Sequence, residues 1–544
     1  MQRRVTIMLM IWLCMAAAAR TAEPKYEVRA VWLTTIGGLD WPKTYARSAA
    51  TVKRQKDELR TILDMLQRAN INTVLIQTRI RGTVIYPSEH EPLDACFTGQ
   101  RGGDPGYDPL QFAIDECHAR GMELHAWVVT IPKGKKGKEE VYMDPADPKT
   151  GDYIAAICGE ITEKYDIDGI HLDYIRYPET WNFGQKKGKA KRETETDASR
   201  AAREQGRKNI TDIVRKISST VKGLKPWVKM SCAPVGKYND LARVSSRGWN
   251  AYHRVCQDVR LWMKEGLMDA IFPMMYFKDD QFFPFALDWQ ENSYGRAVVP
   301  GLGIYMLNVK EGNWERDVIE RQMYFLRDNG MGHAYFRSQF FTDNTKGVYD
   351  FIRDNIDRYP ALVPPMTGTE NEKPGKPTGF SVIRGTQYDI LRWDSTDRNN
   401  EPDGNNNPDV YFNVYASEEL PVDINDGRNL LRIRFSGNSL AVPKSAVGKE
   451  LHYAVTAMNR YGAESDAATD PEDGVTTHYP LLTDSILRSF VMRDLPESAG
   501  TGKKSKKAAK KAKTSKKAKA SKTTKASKTA KASKASGQKQ RNRR

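Results

Sequence analysis

Over the first 360 residues, apolar and polar positions follow two alternating rhythms: short apolar runs of strand length, then longer segments with a helical repeat. Val28–Leu33 is the first run, and behind it Leu59, Ile62, Leu63 and Leu66 fall at i, i+3, i+4 and i+7, one face of a helix. The couplet recurs as strand Asn72–Gln77 with helix Asp108–Arg120, which is opened by an Asp-Pro pair. Strand Glu123–Val129 precedes a helix over Asp152–Lys164, and strand Gly169–Tyr174 a long helix over Asp197–Lys222. Strand Val228–Ala233 leads to helix Tyr252–Glu265, and strand Ala270–Tyr276 to a short segment at Phe282–Gln290. Ala297–Gly301 with Trp314–Asp328 and Gly332–Phe336 with Val348–Tyr359 complete the series. Eight such units over residues 27–362 predict an α/β fold, a (β/α)8 barrel, because parallel strands need crossover helices packed outside them. No glycine-rich phosphate loop follows the first strand, which argues against a dinucleotide-binding sheet.

After Pro374 the rhythm changes. Gly379–Val382, Asp389–Trp393, Tyr411–Ala416, Leu430–Arg434 and His452–Asn459 are β-rich runs separated by Gly, Asn, Asp and Pro, and predict an all-β sandwich over 375–480. Trp393, Tyr415 and Tyr453 stand where a fibronectin type III domain places its core aromatics, and YAVTAMNRYGAES (Tyr453–Ser465) resembles the last hairpin of that fold. The resemblance implies a module that spaces, docks or binds.

Composition adds two tails to this picture. The net charge of +17 looks like a nucleic-acid signal until it is located: residues 501–544 hold sixteen Lys and three Arg with no acid, leaving −2 for the rest. That tail has no aromatic or large aliphatic side chain with which to offset chain entropy, and is expected to be disordered. It can bind polyanions by counterion release, but no aromatics interleave its charges. Anionic envelope polymers are therefore nearer partners than nucleic acid, unless the tail only solubilises. At the other end, Arg3 and Arg4, the apolar Val5–Met15 and Ala16–Ala19 read as an export signal over 1–19, cut after Ala19 or, nearly as well, after Ala22. Export would place the protein in a bacterial periplasm or on the cell surface. Trp12 and Leu13 ahead of Cys14 disfavour lipid attachment, and no later run is long enough to span a membrane. Cys96, Cys117, Cys158, Cys232 and Cys256, odd in number and widely spaced, are expected to be buried thiols and not a disulfide framework or zinc site.

The segment richest in chemistry is YDIDGIHLDYIRYP (Tyr165–Pro178), a helix end, the fourth strand and its exit loop. Alternation puts His171 and Asp173 on one face, and an acid at the C-terminal end of a barrel strand points into the bowl where substrates bind. Asp173 can serve as nucleophile or general acid according to its ionisation, or can merely cap the turn and pair with Arg176. Arg176 either keeps it ionised or grips an anionic substrate. Other strand ends carry Asp40 and Trp41, Gln77 and Arg79, His125 and Trp127, Ser231 with Lys237 and Asp240 beyond, Tyr276 with Asp279 and Asp280, and Tyr305. Singly these have plainer readings: Trp127 as core packing, His125 as a hydrogen-bonded structural histidine, Asp279 as a solvated loop charge. Together they describe a bowl of carboxylates, imidazoles and flat aromatic faces, suited to pyranose rings and glycosidic bonds without metal or organic cofactor.

Several motifs in order carry a resemblance: EVRAVWLTT (27–35), NTVLIQTRIRGTVIYPSE (72–89), GYDPLQFAIDECHARGMELHAW (106–127), DGIHLDYIRYP (168–178), SCAPVG (231–236) and DAIFPMMYF (269–277). Residues 27–360 resemble the glycosyl-hydrolase-like family 10 of exported bacterial proteins. The resemblance implies a (β/α)8 glycosidase cleaving peptidoglycan glycan, particularly chains stripped of peptides, with Asp173 in its most recognisable motif. The same stretch is similar to the DGxDxDxE strand of family 18 chitinases, but Ile175 stands where their catalytic Glu would be and His171 replaces the middle Asp. Asp173 would then need a second carboxylate from another strand, with Asp40 and Asp279 as candidates and Trp41, Arg79, His125, Trp127, His171, Arg176, Tyr276 and Tyr305 as substrate contacts. The alternative is a carbohydrate-binding surface protein on a barrel that has lost catalysis.

Overall fold

Every residue of the strands β1 (Arg29–Leu33), β2 (Thr73–Arg79), β3 (Glu123–Val129) and β4 (Gly169–Asp173) is buried, as parallel strands covered on both faces must be. The computed structural model describes residues 23–478 apart from 138, 184–195, 243, 369–372, 395–409, 445–449 and 471–474. The expected export signal over 1–19, Cys14 and the basic tail over 501–544 lie outside the described residues, as does the end of the expected sandwich at 479–480. The sheet continues through β5 (Lys229–Cys232), β6 (Ala270–Ile271), β7 (Ala297–Val298), β8 (Gly301–Leu302) and β9 (His333–Tyr335). Its order is β8-β9-β1-β2-β3-β4-β5-β6-β7, all pairings parallel. The two ends of that order are one stave interrupted at Val299–Pro300, where proline lacks the N–H a ladder needs. With β7 on β6 and β8 on β9, the sheet closes into an eight-stave barrel.

The interior is packed by Ala30, Trp32, Leu75, Trp127, Val129, Phe272, Val299 and Ala334, while the outer faces of the staves bury Leu59, Leu63, Ile154, Ile210 and Ile217 from the helices. Helices Ala49–Arg68, Pro109–His118, Pro148–Lys164 and Asp197–Leu224 begin at Ser48, Asp108, Asp147 and Thr196, each accepting a backbone N–H at the helix start. Two expectations need correction. The helix expected over Tyr252–Glu265 is two short ones, Ala251–Arg254 and Val259–Lys264, broken at Cys256, whose φ of 62° is left-handed. The strand expected to reach Tyr276 keeps a ladder only to Ile271, because Pro273 follows, although Met274 still bridges to Val235 and Gly301. The five cysteines are buried and free. Among the described residues no helix is long and apolar enough to cross a membrane.

The C-terminal region forms two four-stranded sheets. One contains Thr378–Arg384, Tyr388–Asp394, Ser439–Pro443 and Val475–His478, the other Val410–Ser417, Leu430–Phe435, His452–Asn459 and Ala468–Thr469. Trp393 lies edge-on to Phe412 and Phe435 in their shared core, beside Tyr453. Tyr415 does not join them. Strand alternation turns it to the opposite face, where it packs with Leu362 and Leu430 and its hydroxyl donates to Glu464 at 2.5 Å.

This second face packs on one side of the N-terminal mouth of the barrel, beside an open cavity of about 300 Å³ lined by Thr73, Glu123, His125 and Lys229. Arg434, left-handed at φ 48°, extends a buried guanidinium to Glu123 at 2.8 Å and Asp168 at 2.6 Å, residues at the starts of β3 and β4. Arg460 pairs with Asp166, and Lys25 with Glu464 at 2.6 Å.

Candidate active site

Asp173 ends β4 with its side chain inside the barrel rim. Oδ1 accepts the Tyr174 N–H at 2.7 Å, Oδ2 accepts the indole N–H of Trp127 at 3.1 Å, and the Asp173 carbonyl accepts the Thr130 N–H at 2.9 Å. Burial pushes its pKa up, and the opposing pull of Arg176, the two hydrogen bonds and Arg81 does not cancel that. Tyr174 is left-handed at φ 53°, a conformation that costs a bulky residue roughly 1–2 kcal/mol and is held by the surrounding contacts. Arg176 stacks 4.7 Å over the Tyr174 ring and pairs with Glu179 at 2.5 Å. Tyr276 stands close enough for Asp173, Tyr305 and Tyr174 to add to the burial that raises its own pKa well above the usual range, so it is a neutral phenol. Its ring centroid is 5.5 Å from Tyr305 and 5.4 Å from Phe336.

The structure thus brings together Asp173, Trp127, Arg176, Tyr276 and Tyr305 from the expected set. It places the others elsewhere. Asp40 has both oxygens occupied: Oδ2 accepts the Thr34 N–H and hydroxyl at 2.8 and 2.7 Å, while Oδ1 takes Arg337 and the Gln339 N–H. Asp279 is exposed on a short 3₁₀ turn, Asp279–Gln281. Trp41 is fully buried against Phe97 and donates its indole N–H to the Gln55 carbonyl, so it offers no flat face to a sugar. Arg79, also fully buried, grips Glu91 at 2.6 Å and the Thr130 carbonyl at 2.8 Å, and so steadies the loop that holds the Asp173 backbone.

The histidines are interior. His171 Nε2 accepts from the Trp32 indole at 3.2 Å, so Nδ1 carries the proton and donates to Ser231 Oγ at 2.9 Å. Burial, with His125 adding to it, pushes its pKa well below the usual value and keeps the ring neutral. His125 lies toward the opposite mouth, bonded to Glu123 at 3.1 Å. Its ring lies over Gly169, where a Cβ would come 2.7 Å from Nδ1, so glycine is needed there.

Sequence reasoning missed the rim. A hairpin over Pro132–Tyr142 follows β3, and Glu140 on it pairs with Arg81 at 2.9 Å and accepts the Tyr142 hydroxyl at 2.9 Å. The segment is almost wholly polar, so no apolar alternation marked it; the Lys136-Gly137 turn was its one signal. Glu179 went unnoticed because its partner Arg176 lies three residues back along an irregular loop, where no periodicity applies.

The sequence profile described as Glycosyl hydrolase-like 10 matches residues 27–138 and 130–307. Glycosyl hydrolase YngK of Bacillus subtilis is 27% identical over 439 residues, 73% of this chain and 84% of that protein. Glycosyl hydrolase DigH of Escherichia coli K12 is 30% identical over 298 residues, 48% of this chain and 67% of that protein. The catalytic domain of a Paenibacillus polymyxa β-amylase overlays on 62% of this chain and 99% of its own at 10% identity and TM-score 0.40, a likeness of outline only. Just over half of the chain, from β1 through β8 and across the Asp173 motif, falls within that profile, so the protein belongs to the glycosyl hydrolase-like 10 family and is a glycoside hydrolase.

Proposed function

We propose that this glycoside hydrolase is exported and cleaves bacterial cell-wall glycan, peptidoglycan chains above all, with Asp173 as the general acid. The observation that carries the reading is the carboxyl at the end of β4: buried, pushed up in pKa and flanked by Trp127, Tyr174 and Tyr276. A carboxyl whose pKa is raised holds its proton to higher pH, and can deliver that proton to the glycosidic oxygen as the C–O bond breaks. Aromatic walls suit the CH-rich faces of amino sugars, and the chemistry needs no metal.

The second carboxylate comes from the rim. Glu140 and Glu179 are partly exposed and paired with Arg81 and Arg176, the two cations that also act on Asp173. The saturated Asp40 and the outlying Asp279 are weaker candidates. One rim carboxylate takes the proton of the attacking water, or itself adds to the anomeric carbon, and the anomer first released tells which.

The test is release of reducing ends from purified peptidoglycan and from glycan chains freed of peptides. The parent should act on at least one of them, Asp173→Asn should lose activity by roughly 10²–10⁴-fold, and Glu140→Gln or Glu179→Gln should show a comparable loss. An Asp173→Asn protein that keeps full activity, or a parent that only binds these chains, would overturn the reading.

A further inference from the structure

Exposed tryptophans are uncommon on folded proteins, and two stand on neighbouring loops of this barrel's C-terminal face. Trp181, 42% exposed, follows the Asp173 loop; Trp249, 47% exposed, belongs to the connection after β5. Both are held in place. Trp181 rests against Tyr177 at 5.3 Å between ring centroids, and its N–H donates to the Pro178 carbonyl. The Trp249 loop is pinned by Lys237, which donates to the Arg247 carbonyl at 2.7 Å and to Gln281 at 2.5 Å.

The two loops are tied together. Arg254 donates to the Glu179 carbonyl at 2.8 Å, and the Tyr177 N–H to the Val255 carbonyl at 3.1 Å. The segment that leaves Asp173 and carries Trp181 is therefore bonded to the short helix that follows Trp249. Next to it, Arg207 stacks 4.0 Å over the Tyr252 ring, and the two line an open groove of 490 Å³ with Lys208 and His253.

We infer that Trp181 and Trp249 are stacking platforms for sugar rings beyond those at the bowl, and that the protein binds a long glycan chain laid across the mouth. The inference rests on the glycan-cleaving reading and extends it from the bond cut to the length of chain recognised. Each indole keeps close to half of its surface in solvent, and a flat, rigid, half-exposed indole buries the apolar face of a pyranose at small entropic cost.

The test compares chain lengths. Trp181→Ala and Trp249→Ala should each raise KM for long peptide-free glycan chains by roughly tenfold, leave kcat unchanged, and leave hydrolysis of a disaccharide with a chromogenic leaving group unaltered. Equal losses on both substrates, or no loss on the long chain, would overturn the inference. A second readout separates it from the fate of the catalytic proposal: co-sedimentation of Asp173→Asn with insoluble peptidoglycan. Retained binding that falls when Trp181 and Trp249 are also replaced supports the platforms even if no activity is ever found, and binding indifferent to them refutes the platforms alone. An unchanged melting temperature in both variants is expected, since each side chain is half in solvent.

Discussion

Asp168 and Asp173 bracket the same stave and meet opposite electrostatic conditions. At the N-terminal mouth, burial would raise the Asp168 pKa, but Arg434, His118 and Arg460 outweigh it and hold the carboxyl well below its usual range. At the C-terminal mouth, burial of Asp173 wins, because Arg176 is committed to Glu179 and Arg81 to Glu140. One mouth is lined by charge pairs that run from the barrel to the β-sheets beneath it. The other keeps a carboxyl short of compensating charge, the condition under which it can carry a proton to a substrate. Burial alone does not distinguish scaffold from catalyst; the supply of counter-charge does.

The sharpest way to break that comparison is to neutralise each acid in turn. Asp173→Asn should lose roughly 10²–10⁴-fold in activity while its urea unfolding midpoint holds or rises, since a disfavoured buried charge is removed. If it instead unfolds readily with activity per folded molecule intact, Asp173 is scaffold. Next in size, Arg434→Met removes a cation that Glu123 and Asp168 share but leaves them Lys229 and His118, and should cost about 1–3 kcal/mol in urea unfolding. A loss under about 1 kcal/mol would mean that Lys229 and His118 suffice to hold the two carboxylates.

The pH profiles should also diverge. Glu123 is lowered from 4.5 to about 2, as Lys229, His125 and Arg434 overcome the effect of burial. Its contribution to stability is present above its unfolded pKa and lost as pH falls through the folded one, so unfolding by acid should set in between those values. Asp173 is raised, so its proton, and with it activity, should be lost as pH rises through its folded pKa, with the fold intact. Coincident loss of activity and structure across pH would contradict the contrast. The smallest effect is expected from Trp127→Phe. Removing the indole N–H from Asp173 withdraws a bond that favours the carboxylate, which should move the alkaline limb of the activity profile upward. A downward move would show that the indole favours the protonated form.

Periodicity made most of the barrel legible. Glu123–Val129 coincides with its expected strand, and Leu59, Leu63 and Leu66 all face the core. Strand alternation correctly turned Asp173 inward, and with it Trp127, two residues before the end of its own strand. Alternation tells which side a residue faces and not at what depth, so it could not place His125 toward the opposite mouth, and Trp41 lies on a loop where it does not apply. Glu179 and the left-handed Tyr174 lie where the backbone follows no regular period, and Glu140 lies on a hairpin strand too polar for apolar alternation to mark it.

The amino-acid sequence by itself determined the eight-unit barrel, the β-rich region behind it and the motif that holds Asp173, because each depends on local repeats of two or 3.6 residues. Only the tertiary structure decided which charges meet. Arg434 reaches Glu123 across 311 positions of chain, and Arg337 reaches Asp40 across 297. Those distant pairings set how much counter-charge each buried carboxylate receives, and that difference is what the proposed role of Asp173 rests on.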